Sequence, residues 1–320
     1  MPPKKKAITL LHGLWSQASC FQETRQKLAK NLPKDVEIIA LTEQETSLQS
    51  ITQQAARLKE ALKVRSMDRA NYELILLGHS QGGLRGYQFY QEFGEQFDIK
   101  GLITMGTPWE GAPTAKITKE TTNTYLNNLV VHYCRKGGEY FWPHARQLTP
   151  QVIDMAFDKY LPTHEPGVQD LVPNSTFLRN VATSLKDNQL PILAIAGSNG
   201  NVKEVLLDNA TYMRYIRRVP AGILNAAYAY IIAKKMWGKH DMAVPLASQL
   251  AQNTHKSTSF ESHTVLDSIH GLPPDAVYNF LLVIGISIRR ITLPKDKVLY
   301  NHPDVIEQAV GFIRKHFELS

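Results

Sequence analysis

An apolar run, Tyr72-Glu-Leu-Ile-Leu-Leu, stops at Gly78-His79-Ser80-Gln81-Gly82, and a helix-compatible segment through Leu84, Tyr87, Gln88 and Tyr90 follows without a break. Few backbones accommodate that order. Residues 74–77 read as a strand buried on both faces, as in a parallel sheet. Turning from strand into helix within a few residues leaves no room for a side chain two positions before or after the serine, where Gly78 and Gly82 stand. The turn holds Ser80 in a strained conformation and lifts its hydroxyl above the strand end, beside the free N–H groups of a helix N-terminus. The plain alternative is a glycine-rich turn with an incidental serine. The strand before it and the helix after it favour an elbow that presents a nucleophile.

The rest of the chain repeats the strand–helix theme. Residues 7–11 form a short apolar run closed by His12-Gly13, and 36–41 a second. A helix-compatible stretch, 50–64, lies between that second run and the elbow. Residues 99–105 and 190–197 read as further strands, and 303–317 place Val305, Ile306, Ala309, Val310, Ile313 and Phe317 at helical spacing. Alternating strands and helices predict a doubly wound, mostly parallel α/β sheet. A chain of 320 residues with 43% hydrophobic content can bury a sizeable core, so one domain over 1–320 with insertions is the simplest organisation.

The insertions, at about 112–186, 201–239 and 272–297, read as helical cap or lid segments. Within the second, residues 219–233 are continuously apolar but interrupted by Asn225 and tyrosines, short of the roughly 20 apolar residues of a membrane span. Residues 280–288 are shorter still. Arg289 and Arg290 follow them and would suit a surface lying against lipid headgroups, while a core strand or an internal cap segment is the plainer reading.

A net charge of +7 favours peripheral contact with anionic surfaces such as acidic lipid headgroups. The lysines and arginines are scattered, with no basic tract or interleaved aromatic motif, which argues against nucleic acid as a partner. Two cysteines, Cys20 and Cys134, exclude a disulfide framework and fit a reducing compartment such as the cytoplasm. The basic N-terminus precedes an apolar run too short for a signal peptide, and His12-Gly13 interrupts it, so it reads as a strand.

A serine attacks only when a base removes its proton, and the base needs an acid to fix its tautomer. The leading acid is Asp241, in Gly238-Lys-His-Asp-Met-Ala-Val-Pro245, where Val244-Pro245 predicts a helix start near Leu246. Asp208 is the runner-up, and a helix cap is the structural alternative for Asp241. The leading base is His270, just after the strand-like Phe260-Glu-Ser-His-Thr-Val265. His263 lies inside that strand, and His302 lies at the start of the last helix, where it could cap. Two backbone donors are expected for an oxyanion: Gln81, directly after the serine, and Leu14, in His12-Gly13-Leu14-Trp15. Gly13 would allow close chain approach, and His12 would orient the loop.

These segments together resemble lipases and esterases of the α/β-hydrolase superfamily, especially bacterial triacylglycerol lipases. The resemblance rests on His12-Gly13-Leu14, Gly78-His-Ser-Gln-Gly82, Thr104-Met-Gly-Thr-Pro-Trp-Glu-Gly111 and Asp241 with Val244-Pro245. Asp170-Leu-Val-Pro-Asn-Ser-Thr-Phe-Leu178 is also similar to a cap segment of that group. Trp109 stands where the group usually has histidine. Asn199 stands where the group's habit would place the acid, directly after a strand. Asp241 comes late, after a long excursion, and an apolar insertion separates His270 from the last helix.

The resemblance implies hydrolysis of lipid or acyl esters through an acyl-enzyme, with the order nucleophile, acid, histidine. It implies no cofactor, and a calcium site known in some relatives has no matching acidic pair here. Glycerolipid, phospholipid and thioester substrates share the carbonyl chemistry and are not separable at this level. An acyltransferase on the same residues and a non-catalytic lipid- or protein-binding module are the rival readings.

Overall fold

In a computed structural model of the protein, residues 3–41, 47–116, 164–200, 238–254, 256–271 and 295–319 are described. The apolar runs become six strands: β1 (Lys5–Leu11), β2 (Val36–Ala40), β3 (Tyr72–His79), β4 (Asp98–Met105), β5 (Ile192–Gly197) and β6 (Phe260–Val265). They pair in the order β2-β1-β3-β4-β5-β6, every pair parallel. Ile75, Leu76 and Leu77 of β3 are fully buried, as a central strand covered on both faces requires.

Parallel neighbours need a crossover on one face of the sheet. Among the described residues the longer helices are α1 (Gln22–Asn31), α2 (Ile51–Val64), α3 (Gln81–Phe93), α4 (Thr176–Ser184) and α5 (Pro303–His316). On one face, Leu58 and Leu62 of α2, Leu84 and Tyr87 of α3, and Leu178 and Val181 of α4 share a core with Leu74 and Leu76. On the other, Leu28 of α1 and Val305, Phe312 and Ile313 of α5 share a core with Ile8, Ile75 and Ile103. Alternate residues of β3 therefore feed two separate cores.

The reading of 7–11 and 36–41 as consecutive strands is corrected by α1, which lies between them. Its sequence, QETRQKLAKN, buries only Thr24 and Leu28, so it carries little apolar periodicity to read. Capping bonds explain where other helices start. Ser50 Oγ accepts from Gln53 N–H at the start of α2, and Asp170 Oδ2 accepts from Ile51 N–H at 2.7 Å. His302 Nδ1 accepts from Asp304 N–H at 3.2 Å, capping α5.

Of the first expected insertion, the described part includes a helical turn, Pro166–Gln169, and α4, whose Leu178 and Val181 belong to the sheet core. The apolar stretches at 219–233 and 280–288, with Arg289, Arg290, Asp208 and Cys134, lie outside the described residues. No helix among the described residues is long and apolar enough to cross a membrane.

The chain runs from β1 outward to β2, then returns to place β3 on the other side of β1. The carboxyl ends of β1 and β3 therefore flank a switch point, where an open α/β sheet leaves a crevice. The loop at Gly13 and the elbow at Ser80 both open onto it.

Candidate active site

Ser80 sits between β3 and α3 with φ 55° and ψ −128°, in the left-handed half of backbone space that side chains disfavour. The surroundings hold it there. Its N–H donates to Met105 O at 2.8 Å, and its carbonyl accepts from Thr107 Oγ1 at 3.0 Å and from Gly83 N–H at 3.1 Å. A Cβ at Gly78 would strike the backbone of Gly82 and Gly83, and one at Gly82 would strike the Leu11 carbonyl. The side chain is thereby left for chemistry: Ser80 Oγ lies 2.9 Å from His270 Nε2.

His270 follows β6 in a loop that pairs through Ile269 with Val298. Its Nδ1 lies 2.7 Å from Asp241 Oδ2. A carboxylate only accepts, so Nδ1 carries the proton and Nε2 is left to accept one from the serine. Asp241 is fully buried, and its second oxygen, Oδ1, accepts from Ala243 N–H at 3.1 Å and Val244 N–H at 2.8 Å. The Asp241 backbone carbonyl also accepts from His270 N–H at 2.9 Å.

The late position of Asp241 in sequence disappears in space. A Cβ at Gly197, the last residue of β5, would lie 3.2 Å from Asp241 Cβ, so Asp241 stands against the end of β5. Gln249 arranges this. Its Oε1 accepts from Gly197 N–H at 2.8 Å, while its Nε2 donates to Gly197 O at 3.0 Å and Val244 O at 2.9 Å. Asn199, two residues past the end of β5, donates to Asp267 Oδ1 at 2.9 Å.

The loop after β1 passes over Ser80. A methyl group at Gly13 would lie 2.7 Å from Ser80 Cβ and 3.3 Å from its Oγ. Trp15 takes φ 54°, and its N–H donates to Ser47 Oγ at 3.3 Å, turning the chain just after Leu14. The Gln81 N–H is the first of α3, an amide that no intrahelical carbonyl takes. The Gln81 side chain donates to Gly167 O at 2.8 Å, tying the Pro166–Gln169 turn to the elbow.

Sequence reasoning assigned no role to Thr107 or Gln249. The Thr of Gly106-Thr107-Pro108 was a signal for the first, whereas nothing local marked the second. Of the other histidines, His263 is within β6 and His302 caps α5. Trp109 is a core residue, edge-on to Tyr87 and Phe260. Among the described residues no cluster of His, Cys, Asp or Glu is arranged to hold a metal ion.

Residues 7–182 match a sequence-family model described as palmitoyl protein thioesterase. That is more than half of the chain; it takes in the loop at Gly13 and the elbow and ends before Asp241 and His270. A comparison with curated proteins found no match. Among solved structures, phospholipase PlaB from Legionella pneumophila is similar at a TM-score of 0.52 and 10% identity, over 98% of this chain and 65% of that one. Bacillus licheniformis lipase BlEst2 in mature form is similar at 0.46 and 15% identity, covering 84% and 86% of the two chains. A protein from Listeria innocua is similar at 0.49 and 16% identity, covering 98% and 95%. With the parallel six-stranded sheet, the fold is that of the α/β-hydrolases.

Proposed function

Because the chain belongs to the palmitoyl protein thioesterase family and is a lipid ester hydrolase of the α/β-hydrolase class, we propose that it cleaves long-chain acyl esters or thioesters through an acyl-enzyme on Ser80. One observation carries the reading: a continuous buried line from Ser80 Oγ through His270 (2.9 Å) to Asp241 (2.7 Å). In this reading His270 Nε2 takes the Ser80 proton as Oγ attacks the acyl carbonyl. Asp241 keeps the Nδ1 proton in place and stabilises the imidazolium. The N–H groups of Leu14 and Gln81 receive the developing oxyanion. Collapse of the tetrahedral species breaks the bond to the alcohol or thiol, which leaves with the proton from His270. Water then repeats the sequence and frees the fatty acid.

Labelling by a fluorophosphonate probe tests this. The wild-type protein is expected to label, and Ser80→Ala and His270→Ala to lose labelling together with hydrolysis of p-nitrophenyl octanoate. Absence of labelling in the wild type, with and without detergent, would sink the reading and favour a binding module on this fold. Adding an alcohol acceptor separates hydrolysis from acyl transfer: a new ester in place of free acid would mark the transferase.

A further inference from the structure

His79, the residue before Ser80, is buried at 3% exposure. Its Nε2 lies 2.6 Å from the backbone carbonyl of His270. A carbonyl only accepts, so Nε2 carries the proton and Nδ1 is bare; among the described residues Nδ1 has no partner. The His79 ring centroid is 4.8 Å from that of His270, at 46°, and 4.8 Å from that of Tyr300, at 73°. Burial, and after it the His270 ring, hold His79 well below the ordinary imidazole range, consistent with a ring that stays neutral.

An apolar side chain could fill this space and would spare the unpaired Nδ1, but it would leave the His270 carbonyl without its donor, so volume alone does not account for an imidazole here. What the imidazole supplies is a donor. The His270 N–H is held by Asp241 O at 2.9 Å, and its carbonyl is held by His79. The next residue, Gly271, has φ 80°, a conformation that glycine enters and leaves cheaply, so without that second bond the His270–Gly271 peptide can tilt.

We propose that His79 is a positioning residue for His270: it clamps the carbonyl of the base while its ring supports the face of the base's ring, keeping Nε2 on Ser80 Oγ. This inference rests on the reading of Ser80 and His270 given above. Its effect belongs to the chemical step, where small displacements of a base are costly, and not to substrate binding.

The test compares kcat and KM for p-nitrophenyl octanoate in His79→Phe, His79→Gln and His79→Met, beside Ser80→Ala and His270→Ala. Phenylalanine keeps a ring and loses the donor, so kcat is expected to fall about 10- to 100-fold with KM little changed. Gln and Met have similar length, and only Gln can donate to the His270 carbonyl. Gln is therefore expected to restore most of the rate and Met to remain slow, a contrast that stands even if the Phe variant fails to fold. Equal turnover in the Gln and Met variants, or a change confined to KM, overturns the role of His79. If Ser80→Ala and His270→Ala keep wild-type rates, the assignment of nucleophile and base falls instead, and the role of His79 falls with it.

Discussion

Ser80 is held by its backbone, which leaves its side chain free to meet His270. A non-glycine residue at φ 55° costs on the order of 1–3 kcal/mol, and the bonds to Met105 O, Thr107 Oγ1 and Gly83 N–H offset it. The elbow is legible in sequence because strand, glycines and helix are neighbours in the chain. The bond from Thr107 is not, because it arises only when β4 lies beside β3. Gly13 gives a prediction at this scale. A methyl group 2.7 Å from Ser80 Cβ must push the loop outward and carry the Leu14 N–H with it. Gly13→Ala is therefore expected to lower kcat roughly 100-fold, as loss of one oxyanion donor does, with a smaller effect on KM. Wild-type kcat in a folded Gly13→Ala variant would remove the Leu14 loop from the reaction.

At the scale of elements, Asp241, the proposed acid, is placed by a connection and not by a strand. Residues from 238 onward return to the sheet, Val244-Pro245 starts the helical turn Leu246–Gln249, and Gln249 ties that turn to the end of β5. The Pro and the helix start were readable from local pattern. The clamp was not, since a buried glutamine looks like any surface glutamine until the backbone groups it satisfies are brought to it. Gln249→Leu would strand the Gly197 amide and carbonyl in the interior, with an expected loss of about 2–4 kcal/mol in urea unfolding and a lower kcat. A variant that matches wild type in both measurements would show that the acid loop is held by other means. The helix α1 makes the opposite point: with so few buried positions, its existence follows from the parallel pairing of β1 and β2 more than from its own residues.

For the whole molecule, buried and half-buried histidines link stability to pH. His79, within reach of His270, His12 and Tyr300, is held low chiefly by burial; His240 is held low by burial against the pull of Asp241, and His316 by burial and Lys315. Each such base takes up a proton in the unfolded chain more readily than in the folded one. Stability is therefore full above about pH 6.5 and falls as pH drops below it, by up to about 1.4 kcal/mol per pH unit for a group that stays neutral when folded. His79 comes nearest that limit. His240 and His316 are more open to solvent and contribute less. Asp170, raised by burial, has the opposite sign, but its window lies near pH 4 and above, so it only softens the decline at the acid end. Urea unfolding at pH 7.5, 6.0 and 5.0 should show the decline, and His79→Phe should flatten it. A wild-type curve level across that range would contradict the account.

Strand order in time, the elbow and the apolar periodicity of α5 were determined by the sequence alone, because each depends on residues within a few positions of one another. Which faces of β3 feed which core, the seat of Asp241 against β5, the bond from Thr107 and the pairing of His79 with His270 were decided by tertiary structure. They join residues 27 to 191 positions apart, and directional bonds over such separations exist only once the sheet has set the distances.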